Sequence, residues 1–576
     1  MNIGIPANGN IRSCFDQILR KLWPHALVLA SYILYETIFH YFGLNNTARD
    51  SLVFEGIIVL YGYYVFFYIS RDSRTRYISA ALPMITLYAV SDLYFTFFGS
   101  AFKIITVRQV TELLQVANFN TYLLLISILG FLTLWILLTI DFKNMRRLFV
   151  SLIAGGLVYS AVEVWPSTYL DLFTEFSGQA CSWSDIKNIA DHGWLSMILY
   201  WEAQRIRTLQ KLKSLKVNGR AFDDSVPMRK IFNNVSKRRN VHIVVLEGFF
   251  DLSRLPGIKL SKPAMHPRFL KLCGDKMGVS RSPVFGGHTA QAEFEVLTGV
   301  PAFAEYGDVE FNLFNGGHTY SLPELLKSIG YRTYATNSFK PEFFNEDLAY
   351  RGLGFENIYF PKAYSGGQNS YIDIEIPKKE QNFVFDGDLL TRNIDFIERN
   401  LIKSPQAPVF NYVLGVYGHY PFKIDYVKRP KVINVDVPAG FDKKLIEMLA
   451  NQLYYRSEAV AVFLEKLKSV DPNAIVVIVG DHLPNLEPVS LKTIGYKAYS
   501  SLGYLGRGTE DVSHYPAIMV LNAGRPVKLN NFRHYYIPEL VLNLLTNGEY
   551  SKYHRCYQPM RNYHERYTEL MRRAVE

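Results

Sequence analysis

The 576-residue sequence holds only four cysteines, Cys14, Cys181, Cys273 and Cys556, and no CxxC pair. That excludes a disulfide framework and a thiolate zinc cluster. Cys14 precedes the first long apolar run, so at most one bridge is open to the other three, and free thiols are expected. A Walker phosphate loop is also missing, so no nucleotide is expected as substrate. There is no zinc finger, RNA-binding signature or isolated recognition helix, which removes nucleic acid as the reason for a net charge of +10 and a pI near 9.0. The sequence has neither internal repeats nor low-complexity tracts. No small-residue cleavage site stands ahead of the first long apolar run, which is therefore expected to remain as an anchor. Charge is scarce in the first third of the chain and concentrates after residue 200.

That apolar first third contains five runs long enough to cross a bilayer core, which takes about 20 helical residues. They cover residues 25–42, 51–69, 77–98, 122–140 and 148–165. Arg12, Arg20 and Lys21 precede the first run, Arg71, Arg74 and Arg76 divide the second from the third, and Lys143, Arg146 and Arg147 divide the fourth from the fifth. The alternate connections are poorer in positive charge, and Asp171, Glu175 and Asp185 follow the fifth run. By the positive-inside rule the amino terminus is cytoplasmic and the chain beyond about residue 166 lies outside. The basic balance suits work beside anionic lipid. Glu36, Glu55, Asp92 and Glu163 fall in or near these runs, where charge is expensive; pairing inside the bundle or interfacial placement is the simpler explanation, an ion pathway the functional one. Residues 194–216 set Trp201, Ile206 and Leu209 against Arg205, Arg207, Lys211 and Lys213, a pattern for an interfacial helix or a solvated linker helix.

From residue 238 strand-like and helix-like segments alternate, which predicts an α/β sheet flanked by helices. Strands are expected at 241–246, 331–335, 409–415, 474–479 and 517–521; helices at 322–329, 389–401 and 445–467, with another near 537–545 in a Tyr- and Arg-rich tail. Domain limits follow: 1–166 membrane helices, 167–237 linker, 238–576 catalytic domain.

Two of these buried strands deliver metal-friendly side chains at their carboxyl ends, where open α/β sheets build their sites. Val244-Val245-Leu246 runs into Glu247, and Val477-Ile478-Val479-Gly480 into Asp481 and His482. Between them Gly286-Gly287-His288-Thr289 offers a hydroxyl in a Gly-rich turn. Glu247, Thr289, Asp481 and His482 would supply three oxygens and one nitrogen to a divalent cation, with Thr289 as a nucleophile inside the site. Seen singly, each fragment is an ordinary capped turn.

In this order the fragments resemble the alkaline phosphatase and sulfatase superfamily, and within it the membrane-bound branch of lipoteichoic acid synthases and periplasmic glucan phosphoglycerol transferases. Gly287-His288-Thr289-Ala290-Gln291-Ala292-Glu293-Phe294-Glu295-Val296-Leu297-Thr298-Gly299 carries most of it, with Gly480-Asp481-His482, Glu247 and the His419 segment Gly418-His419-Tyr420-Pro421-Phe422. The resemblance covers roughly residues 240–525. It implies a bacterial cell (inner) membrane protein with a five-helix transmembrane bundle and a sulfatase-like α/β domain on the periplasmic or outer side. It further implies one divalent metal ion (manganese, zinc or magnesium), catalytic Thr289 and His419, a membrane phospholipid donor and a glycan or polymer acceptor. The implied reaction is transfer of a phosphoglycerol headgroup through phospho-Thr289. A sulfatase proper needs a Cys or Ser convertible to formylglycine, which Thr289 cannot supply.

One segment departs from that pattern. Where lipoteichoic acid synthases have a His-Gly-Asn stretch closing with Phe-Trp-Asn-Arg, this chain has Asn337-Ser338-Phe339-Lys340-Pro341-Glu342-Phe343-Phe344-Asn345-Glu346. Asn337, Lys340, Phe344, Asn345 and Glu346 are the expected substrate-binding residues. Glu346 stands where a phosphate-binding arginine would be, an inversion of charge. Either Lys340 supplies the lost cation, or Glu346 faces an ammonium and the enzyme is a phosphoethanolamine transferase. A non-catalytic scaffold is the remaining alternative; it would be expected to lose one of the four metal-site residues.

Overall fold

The computed structural model describes Trp23 and residues 52–104 (less 74, 99 and 100), 119–180, 185–214, 225–233, 238–486 and 514–576, with short gaps in the last two stretches. These residues form two compact units, divided between Thr208 and Leu209.

In the first unit, α1 (Leu52–Ile69), α2 (Arg76–Phe98), α3 (Phe119–Thr139) and α4 (Met145–Val164) occupy the second to fifth expected spans. The first expected span, 25–42, lies outside the described residues, as do Cys14, Cys181 and Cys556. Among the described residues one helix, the 20-residue α4, is long and apolar enough to cross a membrane; the apolar stretch Phe54–Ile69 of α1 is shorter. Large apolar side chains such as Leu60, Leu134, Leu138 and Leu152 stand exposed on these helices, the reverse of a soluble surface. α1 and α3 end side by side: Ser70 and Ile140 form an antiparallel bridge, and Arg71 N donates to Thr139 O at 2.8 Å. Arg76 and Arg147 reach Asp72 at this same end.

Two of the acids flagged in the runs have structural partners. Glu55 accepts from the backbone N–H groups of Leu195 (2.9 Å) and Ser196 (2.7 Å), at the amino terminus of α5 (Trp194–Ser214), and from Tyr88 Oη. Asp92 accepts from the Trp194 indole at 2.8 Å. A carboxylate there satisfies orphan donors and complements the helix dipole. The apolar face of α5 is buried through Trp194, Ile198 and Ile206.

The second unit is built on a nine-stranded sheet. Its strands are β1 (Val241–Leu246), β2 (Gly278–Arg281), β3 (Arg332–Asn337), β4 (Asn357–Tyr359), β5 (Val409–Gly415), β6 (Ile475–Gly480), β7 (Ala517–Asn522), β8 (Arg525–Pro526) and β9 (Phe532–Arg533). They lie in the order β9-β2-β7-β6-β1-β5-β3-β4, with β8 beside β7. The run β6-β1-β5-β3-β4 is parallel and β7 is antiparallel to β6. β1 is buried at all six positions, as a central parallel strand covered on both faces must be. Its side chains alternate: Val241, Ile243 and Val245 enter the core shared with α6 (Thr289–Thr298) and α10 (Ile537–Leu545). Val244 and Leu246 enter the opposite core, packed by α8 (Asp386–Lys403) and α9 (Lys443–Val470). α9 opens on Asp442, whose carboxylate accepts from Leu445 N at 3.1 Å. Between α6 and α8 in the chain lies α7 (Glu346–Gly352).

Register sets the site. Leu246 pairs with Gly480 on one side and Gly415 on the other, so Glu247, Asp481 and the segment after Gly415 leave the sheet together at its carboxyl edge. Cys273 is a buried free thiol, its Sγ 2.9 Å from Met519 Sδ.

Candidate active site

Thr289 is the first residue of α6, a ten-residue helix in which every side chain is buried. Its approach is bent: His288 holds a left-handed backbone (φ 63°), while Gly286 N donates to Leu483 O at 2.9 Å, tying the turn to the residue after His482. Thr289 Oγ1 donates to Glu247 Oε2 at 2.8 Å. Negative charge developing on that oxygen would sit at the positive end of the helix dipole.

Glu247, Asp481 and His482 offer ligand atoms that all lie within 4.8 Å of one another, each residue buried. One Asp481 oxygen is fixed by Gly248 N (2.8 Å) and His482 N (2.6 Å). The His482 ring is set by Nδ1, which donates to Leu483 O at 3.0 Å and leaves the Nε2 lone pair facing the carboxylates. Nε2 lies 3.3 Å from Glu247 Oε1 and 3.2 Å from Asp481 Oδ2. Nevertheless neither Nε2 nor Asp481 Oδ2, both buried, makes a hydrogen bond. Two carboxylates and an imidazole aimed at one point, with orphaned atoms, make a candidate cation site. The donor set fits a divalent metal ion, and Thr289 Oγ1 is poised beside it.

The proton affinities carry the same demand. Burial raises the pKa of Asp481 to about 7, helped by the Glu247 charge. Burial also works against ionisation of Glu247, but the charge of the adjacent His482 outweighs it and holds that carboxyl down at about 2. For His482 burial acts to lower the pKa, and the two carboxylates outweigh it, raising it to about 9. Without a metal the cluster takes its positive charge from a proton on His482.

Three residues that sequence reasoning missed support this cluster. Arg456 of α9 donates from Nε to Asp386 Oδ2 and from Nη2 to Glu247 O, each at 2.6 Å. His534 bridges Gly480 O (2.9 Å) and Ser280 Oγ (2.8 Å), and burial pushes its pKa down to about 4, so a neutral ring braces the strand end before Asp481. Each stands 54 or more residues from its partner at the site, where no local pattern reaches.

His419 is half-buried, its ring centroid 5.4 Å from Phe383 and 6.4 Å from Phe343, and its charge acts on Glu247. Phe339, Phe343, Phe344 and Phe383 form an aromatic wall continuing to His288, 6.3 Å from Phe344. Phe344 and Asn345 are both left-handed (φ 48° and 58°), so three non-glycine residues with positive φ, His288 included, cluster beside Thr289. Lys340 lies over Phe339 and Tyr364, its pKa lowered by burial. The Asn345 amide is spent on the carbonyls of Phe311 and Phe314, both at 2.8 Å.

Asn337 and Glu346 are placed differently from these. Both are buried, and Asn337 Nδ2 donates to Glu346 Oε2 and to Tyr350 Oη. Behind them Tyr350 and Tyr412 each donate to Glu293 Oε2 at 2.6 Å. Glu293 thus anchors α6 to β5 and α7 in a polar network under the site.

A family model described as Sulfatase matches residues 239–532. Among curated proteins, one from Rhizobium meliloti (strain 1021) whose name assigns it to cyclic beta-1,2-glucan modification is 27% identical over 289 residues, 49% of this chain and 40% of that one. A lipoteichoic acid synthase of Staphylococcus saprophyticus is 22% identical over 265 residues, 44% of this chain and 37% of that one. The chain thus spans about two fifths of the length of these curated relatives. Among solved structures, the Streptococcus pyogenes phosphoglycerol transferase GacH in complex with sn-glycerol-1-phosphate superposes with a TM-score of 0.46 at 17% identity, covering 64% of this chain and 92% of that one.

Proposed function

The chain belongs to the sulfatase family, and we propose that it is a metal-dependent phosphotransferase moving a phosphoglycerol headgroup from phosphatidylglycerol to an envelope glycan or polymer. One observation carries this reading: the Thr289 hydroxyl, at the head of a buried helix, on Glu247 within reach of Asp481 and His482. Threonine cannot become formylglycine, so sulfate-ester hydrolysis by the usual route of this family is not proposed. The names of the Rhizobium and Staphylococcus relatives support a glycan or polymer acceptor.

Glu247, Thr289, Asp481 and His482 would hold the dication, manganese, zinc or magnesium, which lowers the cost of an alkoxide and offsets phosphoryl charge when bound. Thr289 Oγ1 attacks phosphorus, the bond to the diacylglycerol oxygen breaks, and phospho-Thr289 forms. The Thr289 hydroxyl, held by Glu247 at 2.8 Å, gives its proton up to solvent, and His419 gives a proton to the departing diacylglycerol oxygen. An acceptor hydroxyl then gives its proton to His419 and takes the phosphoryl group, the bond from phosphorus to Thr289 Oγ1 breaks, and Thr289 regains a proton from solvent. The chemistry needs no nucleotide.

We assign Lys340 as the cation facing the donor phosphate and Phe344 to the wall beside it, with Asn337, Asn345 and Glu346 shaping the pocket from behind. The ethanolamine alternative drew on Glu346 meeting an ammonium. Its burial against Asn337 supports glycerol instead. The exposed apolar helices and the arginines gathered at one end of the first unit support a bacterial inner-membrane location, with the amino terminus cytoplasmic and the catalytic domain outside.

Peptide mass spectrometry tests the proposal. Protein purified from membranes, wild type and Thr289→Ala, is incubated with manganese and either phosphatidylglycerol or phosphatidylethanolamine, and diacylglycerol release is followed in parallel. A glycerol-phosphate adduct on the Thr289 peptide, absent from the variant, is expected. An ethanolamine-phosphate adduct would replace the donor. Neither adduct nor diacylglycerol release would favour the non-catalytic scaffold.

A further inference from the structure

We infer that the buried Asp386–Arg456 pair is a positioning device that sets Glu247 and the His419 loop around the dication; the inference rests on the metal reading just given. Both side chains are fully buried, and the pair closes at 2.6 Å. The second arm of Arg456 donates to the main-chain oxygen of Glu247, the residue whose carboxylate faces the cluster. The guanidinium therefore grips the strand end from behind and leaves the ligating atoms free.

The backbone is cut away to admit the pair. A Cβ at Gly415 would stand 2.7 Å from Asp386 Oδ1, and one at Gly418 would overlap both Arg456 Nη1 and the Glu247 carbonyl. Gly418 immediately precedes His419. The pair thus packs against both the first metal-site residue and the turn that carries His419: Gly415 leaves room for the Asp386 carboxylate, and Gly418 for the Glu247 carbonyl and the Arg456 guanidinium.

Stability does not account for the arrangement. Burying two charges costs several kcal/mol per ion before their attraction returns it, and apolar residues of similar volume often serve as well. This pair is also incompletely satisfied: Arg456 Nη1 and Asp386 Oδ1, both buried, have no hydrogen bond. What an apolar replacement would lack is the bond to Glu247 O. Partners that orient a metal ligand typically carry a factor of about 10–100 in metal affinity.

The experiment separates positioning from support. Full-length wild type, Arg456→Met, Arg456→Met/Asp386→Leu and Arg456→Lys, purified in detergent, are titrated with Mn2+ by calorimetry and melted in parallel. Arg456→Met strands a buried carboxylate and loses both stability and Mn2+ affinity. The double variant is expected to regain most of the lost Tm while its Kd for Mn2+ stays about 10–100-fold above wild type. A double variant binding Mn2+ as wild type does would overturn the inference and leave the metal reading intact. If the double variant does not fold, Arg456→Lys decides: charge kept and fork lost, it should bind Mn2+ at least about tenfold more weakly at a Tm near wild type, and an unchanged Kd rejects the role. Wild type that binds no more Mn2+ than Glu247→Ala would reject the metal reading and this inference with it.

Discussion

Tyr412 Oη donates to Glu293 Oε2 at 2.6 Å, joining the central strand β5 to α6 four residues past Thr289. Tyr350 donates to the same oxygen, and Glu346 and Asn337 close the network. Burial raises the Glu293 pKa to about 7 despite these hydrogen bonds. Its folded-state pKa exceeds that of an unfolded glutamate, about 4.3, so the folded protein keeps a proton that the unfolded chain has released. The associated stability is complete below about pH 4 and is lost as pH rises through 7. Glu293→Gln keeps a neutral acceptor for both tyrosines and removes the titration. Between pH 5 and 8.5 the wild-type Tm should fall relative to the variant by about 3 °C or more. Glu295, a buried acid that does not touch Glu293, titrates equally in both proteins and cancels in the difference. Parallel Tm–pH curves would show that Glu293 is not the group responsible.

Much of this site was legible because its pieces are local. A continuous β-branched run such as Val241–Leu246 or Ile475–Gly480 announces a buried strand, and Glu247 and Asp481 follow within one residue of the end. The strands Asn357–Tyr359 and Phe532–Arg533 are too short to display a period and were not expected. The role of Glu346 was hidden for another reason. Its identity is plain in the sequence, but the left-handed pair Phe344 and Asn345 turns α7 so that the carboxylate points inward, and side chains from α6, β3 and β5 decide that turn. Arg456 lies 209 residues from the carbonyl it holds, and only packing brings them together.

Replacing Thr289, the proposed nucleophile, should divide chemistry from binding. Thr289→Ala removes the attacking oxygen and leaves Glu247, Asp481 and His482 in place, so diacylglycerol release should fall about 10³-fold or more. Mn2+ binding should persist, weakened only by loss of one ligand. Thr289→Ser keeps a hydroxyl at the same helix position and should retain measurable turnover. Thr289→Ala with undiminished release would remove Thr289 from the reaction.

A chelator should destabilise the catalytic unit. With the ion removed, His482 must hold a proton to balance Glu247 and Asp481, and buried Asp481 Oδ2 is left without a partner. A ligand at 100 times its Kd adds about 2.7 kcal/mol to the folded state. For a unit of this size that corresponds to roughly 3–5 °C in Tm. Scanning fluorimetry with EDTA, then with excess Mn2+, should show that loss and its reversal. Asp481→Asn should be insensitive to both, and a wild type indifferent to EDTA would argue that no dication completes the cluster.

Gly418 gives the most local test of how the His419 loop is held. Alanine there would force its Cβ into the Glu247 carbonyl and the Arg456 guanidinium, and neither can retreat without moving the strand end or breaking the pair with Asp386. Overpacking of this kind costs about 1–3 kcal/mol. A Tm lower by about 1–4 °C is therefore expected. Activity should fall further than that loss implies, because the same displacement moves His419 away from the leaving group we propose it protonates, a transfer that needs hydrogen-bond reach. Gly287→Ala is the comparison: no atom lies within 4 Å of its Cβ, so any cost there comes from the backbone (φ 156°) and not from crowding. Gly418→Ala with wild-type turnover at a temperature where it is folded would mean that His419 need not be held where the structure puts it.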